Sequence, residues 1–307
     1  FQKLQLLVLG VAALGVPLLL DGQWLSIAVL IFIYAILALG LNVVVGLAGL
    51  LDLGYVAFYA IGAYAYALLA KNFGFSFWLC LPVAACLSAC VAGILGTPIL
   101  RLRGDYFAVA TLAFAEIVQI ILTSWQSLTG GPNGIAGIPR PTLFGLEFRR
   151  YATEGHTAFH EAIGVPYSSL YQHLFFYYLG LALLALVLWY SYRIRRLPLG
   201  RAWEAMREDS IATRALGISL PGLRLSAYAI GAAIAGLAGC LFAAKQGFIS
   251  PTSFNFMETA LVLAVVVLGG LGNPKGIVLA AAALVILPEL TREAADYRML
   301  VFGLIMV

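Results

Sequence analysis

Residues 40–64 read GLNVVVGLAGLLDLGYVAFYAIGAY, and Asp52 is the sole charged residue between positions 22 and 70. A transmembrane helix needs about 20 residues, so residues 22–70 are too long for one span and sufficient for two, with roughly nine residues left over. Those residues coincide with GLAGLLDLG, from Gly46 to Gly54. Gly46, Gly49 and Gly54 therefore mark a break between two helices, and Asp52 belongs to the break. As a cap it is expected to accept a hydrogen bond from the amide of Gly54 or Tyr55, satisfying a donor that the helix start leaves open. The alternative is a counter-ion for a substrate, should the break dip into the membrane.

The rest of the chain follows the same pattern. Of 307 residues 63% are hydrophobic and 10% charged, with a mean hydropathy of +0.98, against about 25% charged in soluble domains. Such a chain cannot cover a water-facing surface. Apolar runs near or above the spanning length recur, which predicts an all-α polytopic membrane protein. The alternating segments of a transmembrane barrel are absent. About ten transmembrane helices with Gly-rich breaks are expected, at roughly 4–20, 24–45, 54–70, 77–99, 106–124, 173–191, 226–245, 257–272, 277–290 and 297 onward. Both ends fall in apolar runs and read as trimmed, so residues 4–20 read as a span and not as a signal peptide.

Charge sets the orientation. With the start inside, the inner turns carry Lys3, Arg101, Arg103, Arg193, Arg195, Arg196, Arg201, Arg207, Arg214, Arg224 and Lys275, whereas the short outer turns hold Lys71, Lys245, Arg292 and Arg298. This bias predicts a cytoplasmic N-terminus. The net charge of +4 is spread along the chain, so nucleic acid is not an implied partner.

Two loops are long. Residues 125–172 contain TGGPNGIAGIPRPTLFG, whose Gly and Pro density implies fixed turns in an outer cap packed through Leu143, Phe144, Phe148 and Phe159. Residues 193–224 lie inside and place Ala202, Ala205, Met206, Ile211, Ala212, Ala215 and Leu216 near helical spacing, with Gly217 set to stop the helix. An amphipathic helix on the lipid surface would show such a stripe. The acidic residues Glu204, Glu208 and Asp209 disfavour an anionic bilayer and favour docking onto a protein.

No phosphate-binding loop of the form GxxxxGK[ST] occurs. The segment EGHTAFHEA spaces His156 and His160 for zinc, but not in the order of a metalloprotease helix, and no metal is expected. The four cysteines, Cys80, Cys86, Cys90 and Cys240, all lie in apolar runs and read as small residues at helix contacts. No nucleophile elbow is present, so no catalytic residue is assigned.

One intramembrane acid stands out. Asp105 is expected to cap its helix, which places Glu116, eleven residues on, about 16 Å deep. Glu116, Gln119, Thr123 and Gln126 form one polar stripe that must meet protein or water, as translocation path or as helix glue; Asn42 is a further candidate for either role.

GLNVVVGLAGLLDLGYVAFYAIGAY, RLRGDYFAVATLAFAEI, TGGPNGI, GRAWEAMREDSIATRALGIS and VVVLGGLGNPKG, in this order, resemble the permease subunits of branched-chain amino acid ABC importers, of the LivM type, from about residue 24 onward. The resemblance implies a type II importer-like fold in a bacterial inner membrane. It also implies a LivH-like second permease, two cytoplasmic ATPase subunits carrying ATP and Mg, and a periplasmic amino-acid-binding protein. This chain would need no cofactor and would not be an enzyme. Residues 193–224 would hold the ATPase coupling segment, with Glu204, Ala205, Arg207, Glu208, Asp209, Ala212, Leu216 and Gly217 in or beside the contact. Against the importer coupling pattern EAAxxxGx(9)IxLP, the chain keeps Glu204–Ala205 and Ile218-Ser219-Leu220-Pro221, and departs at Met206 and in lacking the glycine. Two other functions fit parts of the sequence: a proton-coupled transporter using Asp52 and Glu116, and an ABC permease for another small solute such as a sugar.

Overall fold

The computed structural model describes residues 21–102, 104–143, 146–147, 157–158 and 168–305, together with 15 and 17. All but residues 15 and 17 of the expected first span, the histidine pair of the outer cap, and Phe144, Phe148 and Phe159 lie outside the described residues. The first described long helix, α1, runs Gly22–Asn42 and continues as a π-helical segment, Val43–Leu47. Then follow α2 (Val56–Phe73), α3 (Phe77–Ile99), α4 (Asp105–Ser124), α5 (Leu170–Arg196), α6 (Pro198–Glu208), α7 (Ser210–Ala215), α8 (Leu220–Gln246), α9 (Phe256–Gly269) and α10 (Pro274–Ile305). Among the described residues, six segments are long and apolar enough to cross a membrane: Gly22–Leu47, Phe77–Ile99, Asp105–Ser124, Leu170–Arg196, Leu220–Gln246 and Pro251–Gly269.

The expected spans at 277–290 and from 297 onward are one continuous helix, α10, with Pro288 inside it. The cluster of charges at 292–298 suggests a turn, but Arg, Glu and Ala are strong helix formers and no glycine interrupts them. Arg292 and Arg298 therefore sit on a helix and not in an outer turn.

The core forms where α8 crosses α2 and α3. Small residues let the backbones meet: a Cβ on Gly62 would lie 2.4 Å from the Gly236 carbonyl oxygen, and one on Gly239 would lie 2.2 Å from that of Tyr59. Close approach of this kind substitutes for the hydrophobic drive that helices lose in lipid. Ser88 closes the contact by donating to the Phe58 carbonyl at 3.2 Å. Gly62→Ala is expected to destabilise the fold by about 1–3 kcal/mol, because backbone on both helices must shift. Gly93→Ala, with nothing within 4 Å of the added carbon, is the control. Thermal unfolding in detergent checks both, and equal midpoints would refute the close-packing assignment.

The loops gather at two ends. At one end, strand β1 (Ile135–Ala136) pairs antiparallel with β4 (Phe248–Ile249), leaving β2 (Leu146–Glu147) parallel to β3 (Thr157–Ala158). Lys71 donates to the Ala136 carbonyl at 3.1 Å, Trp78 to Thr142 at 3.0 Å and Tyr66 to Pro139 at 2.6 Å, so the cap is fastened to α2 and α3. The other end collects the 48–55 break, the turn after α3, helices α6 and α7, and the 270–273 loop. Arg101, Arg195, Arg207, Arg214 and Arg224 cluster there.

Candidate functional site

The segment between α5 and α8 has two sides. Trp203, fully enclosed, donates its indole N–H to the Leu223 carbonyl at 3.1 Å and the Ser226 hydroxyl at 3.0 Å, and Met206 is buried one turn on. Sequence reasoning passes over Trp203. The available signal is a lone indole three residues before Met206 in a charged stretch.

Beyond Glu208 the helix is broken, where the spacing predicts a single helix. Asp209 adopts an extended backbone and its Oδ1 accepts the amides of Ile211 (2.8 Å) and Ala212 (3.0 Å), so it caps α7. Asp209 thereby starts a second helix inside the segment. The turn after α7 closes on Gly217 at φ 82°.

The break also divides the apolar stripe. Met206 faces the core, whereas Ile211 is 80% exposed and Leu216 78% exposed, with Ala205, Ala212 and Ala215 open beside them. Glu204 is not free for docking: Arg195 Nε holds its Oε1 at 2.6 Å. Glu208 remains exposed. A cavity of about 430 Å³ opens next to α7, lined among others by Leu51, Asp105, Ile211, Arg214 and Arg224.

Hydrogen bonds tie this end together. Arg207 Nη1 donates to the Gly46 carbonyl in the π-helical segment, and Arg195 Nη1 donates to the Gly272 carbonyl at 2.8 Å. The Gly272 amide in turn donates to Asn42 Oδ1 at 2.8 Å. Asn42 is 2% exposed; its Oδ1 is engaged in a helix-to-loop pin and does not line an open path.

Asp52 is fully buried, and its Oδ1 accepts the Gly54 amide at 2.8 Å. The helix that follows starts later than expected, with Tyr55 in the capping position. Asp52 thus folds the break itself and does not cap α2. Thr111 on α4 receives the Leu53 amide at 3.1 Å, and a Cβ on Gly54 would lie 2.0 Å from the Thr111 carbonyl oxygen. Asp52 Oδ2 is buried with no hydrogen-bond partner among the described residues. Asp52→Asn keeps the accepting oxygen and is expected to leave transport within about twofold of wild type, whereas Asp52→Ala leaves the buried Gly54 amide unpaired and loses about 1–3 kcal/mol of stability. Loss of transport in Asp52→Asn, with assembled protein unchanged, would instead assign the charge a transport role.

Glu116 sits on α4 with its side chain exposed. Val109, Ile117 and Ile120 share that face at 63%, 54% and 61% exposure, and most of α4 is uncovered. The stripe is less polar than the spacing suggests: Thr123 donates to the Gln119 carbonyl of its own helix at 2.8 Å, and Gln126 belongs to a separate turn, Gln126–Thr129. Asp105 is the first residue of α4, after Gly104, and makes no capping bond.

A second acid in a span escapes the sequence reading. Glu258, in the first turn of α9, accepts the Tyr34 hydroxyl at 2.8 Å. Its neighbour in space is 224 residues away in sequence, so no local pattern announces it. Cys80 and Cys240 are buried in helix contacts, but Cys86 and Cys90 are exposed, against the expectation that all four sit at helix contacts.

Residues 23–307 match the family described as branched-chain amino acid transport system / permease component. The chain is 53% identical, over its full length and 72% of the relative's, to the high-affinity branched-chain amino acid transport system permease protein LivM of Escherichia coli K12. It is 29% identical over 69% of its length, and 55% of the relative's, to a probable branched-chain amino acid transport permease protein LivM of Methanocaldococcus jannaschii. It is also 28% identical, over 79% of its length and 76% of the relative's, to the permease protein LivH of E. coli K12. No solved structure matches. A polytopic helical chain with Gly-rich breaks, matched in this way almost end to end, belongs to the branched-chain amino acid transport permease family.

Proposed function

We propose that the chain is the LivM-type permease subunit of an ATP-driven importer that moves leucine, isoleucine and valine into the cytoplasm by alternating access. It crosses a bacterial inner membrane about nine times, α10 standing for two of the ten expected spans, with its N-terminal side cytoplasmic, in a type II importer-like fold. A LivH-like permease completes the path, a periplasmic amino-acid-binding protein delivers cargo at the capped end, and two cytoplasmic ATPase subunits hold ATP and Mg. Hydrolysis belongs to those subunits, and this chain converts their movement.

The observation that carries the proposal is the two-sided segment of α6 and α7. Trp203 and Met206 fix one side in the core, and Ile211 and Leu216 leave an apolar side open beside charged residues. Clustered exposed apolar residues rimmed by polar ones mark a protein contact. The α4 face supports the second permease: a carboxylate beside Val109, Ile117 and Ile120 cannot face lipid at low energy, and a homologous chain meeting it would enclose a path. Apolar walls suit branched side chains, and a few polar groups suffice for the charged amino acid backbone.

Reconstituted in vesicles with these partners, the complex is expected to take up labelled leucine, with competition by isoleucine and valine and not by ribose. A protonophore at constant ATP should leave uptake intact. Uptake that needs no partner subunit and collapses with the proton gradient would overturn the proposal in favour of a secondary transporter, and competition by ribose alone would overturn the cargo.

A further inference from the structure

The pins at the α6 end connect parts of the chain that lie 230, 161 and 77 residues apart in sequence. Gly272 uses both backbone groups: its amide goes to Asn42 at the end of α1, and its carbonyl takes Arg195 at the end of α5. Arg195 also holds Glu204 at 2.6 Å, in the middle of α6. Arg207, one turn further along α6, holds Gly46 in the π-helical segment. Helix α6 is thus bound at two points, to the break after α1 and, through Arg195, to the break between α9 and α10.

The fit at these points is tight. A Cβ on Gly46 would lie 2.0 Å from Asn42 Oδ1 and 2.8 Å from the Gly272 amide nitrogen, and one on Gly49 would lie 2.9 Å from Arg207 Cγ. Gly272 holds φ 81° and Gly49 φ 71°, a backbone that favours glycine. Chain breaks are where helices bend, since an i+5 bulge or a left-handed residue interrupts the ladder. A helix pinned to two such breaks by directional bonds cannot move without loading both.

We propose that Asn42, Arg195 and Arg207 are positioning residues that transmit displacement of α6 to the breaks at 43–47 and 270–273, so that α1, α9 and α10 move together with the α6–α7 segment. The proposal rests on the importer assignment above and adds the route by which motion leaves the docking segment. Directional hydrogen bonds suit such a link better than apolar contact, because they fix register as well as distance.

The test uses the assembled transporter in vesicles, measuring uptake and ATP hydrolysis in the same preparation. Arg207→Ala, at an exposed position, and Asn42→Ala are expected to co-purify with the ATPase subunits and to import about fivefold less cargo per ATP hydrolysed. Arg207→Lys keeps a donor and should recover part of the ratio. Thermal midpoints are measured alongside, since a merely structural staple would lower stability and leave the ratio alone. An unchanged ratio in both alanine variants, whatever the midpoint, overturns the proposed link. Wild-type uptake without ATPase subunits overturns the importer assignment itself, and the link falls with it.

Discussion

Leu216→Asp is expected to reduce ATP-driven uptake to background while the permease remains folded in the membrane. Leu216 is 78% exposed and contributes nothing to the core, so its replacement has no interior to disturb. In the assembled transporter the same side chain would be covered by the ATPase subunit. An aspartate there would be buried unpaired, and a well-packed apolar contact at an interface contributes about 2–4 kcal/mol. Ala212→Asp, on the same open side and next to the Asp209 cap, should act in the same direction. Both variants should retain the wild-type thermal midpoint and fail to stimulate, or fail to retain, the ATPase subunits in pull-down. Normal transport by Leu216→Asp would remove the docking role from α7.

Glu116→Leu is expected to lower uptake at least tenfold without loss of the assembled complex. A charged side chain at the middle of a span costs about 2.5–3.5 kcal/mol or more when it faces lipid, so the wild-type face must be covered by protein that keeps it wet. On the proposed reading, leucine there removes a polar contact for cargo crossing between the two permeases. The thiol introduced by Glu116→Cys, in a background with the four native cysteines replaced, should react with a water-soluble thiol reagent in the complex. No reaction, together with unaffected uptake in Glu116→Leu, would assign Glu116 to helix packing instead.

Much of this architecture is written in local pattern. Hydropathy locates α1 through α4 and α9 within three residues, because a span needs length and lacks charge, and both are visible without a partner. The break around Asp52 follows from counting, and the stop at Gly217 follows from the left-handed geometry that glycine permits. The division of α6 from α7 is harder to see. In sequence Asp209 is one more acid on a continuous helix, and only its two accepted amides reveal a second helix start.

Long-range contacts account for the rest. Asn42 reads equally as a path group or as helix glue, and only the bond its acceptor oxygen takes from a residue 230 positions away decides between them. Glu258 lies in the first turn of its helix, where an acid is ordinary, so its bond to Tyr34 carries no advance sign. Arg195 and Arg207 are readable only as members of a positive cluster, a statistical property of inner loops that does not tell which arginine binds a carbonyl. The charged stretch in α10 misleads for a related reason: hydropathy falls there, but helix formation depends on backbone and propensity, which stay favourable.

The importer assignment depends on the α6–α7 segment being the seat of a separate ATP-hydrolysing subunit. Placing a photo-activated cross-linker at position 216 and irradiating the assembled transporter in its membrane addresses this directly. An adduct of this chain with the ATPase subunit is the expected product. Adducts with lipid alone, while the ATPase subunits are present, would make the segment a membrane-surface helix and contradict the assignment.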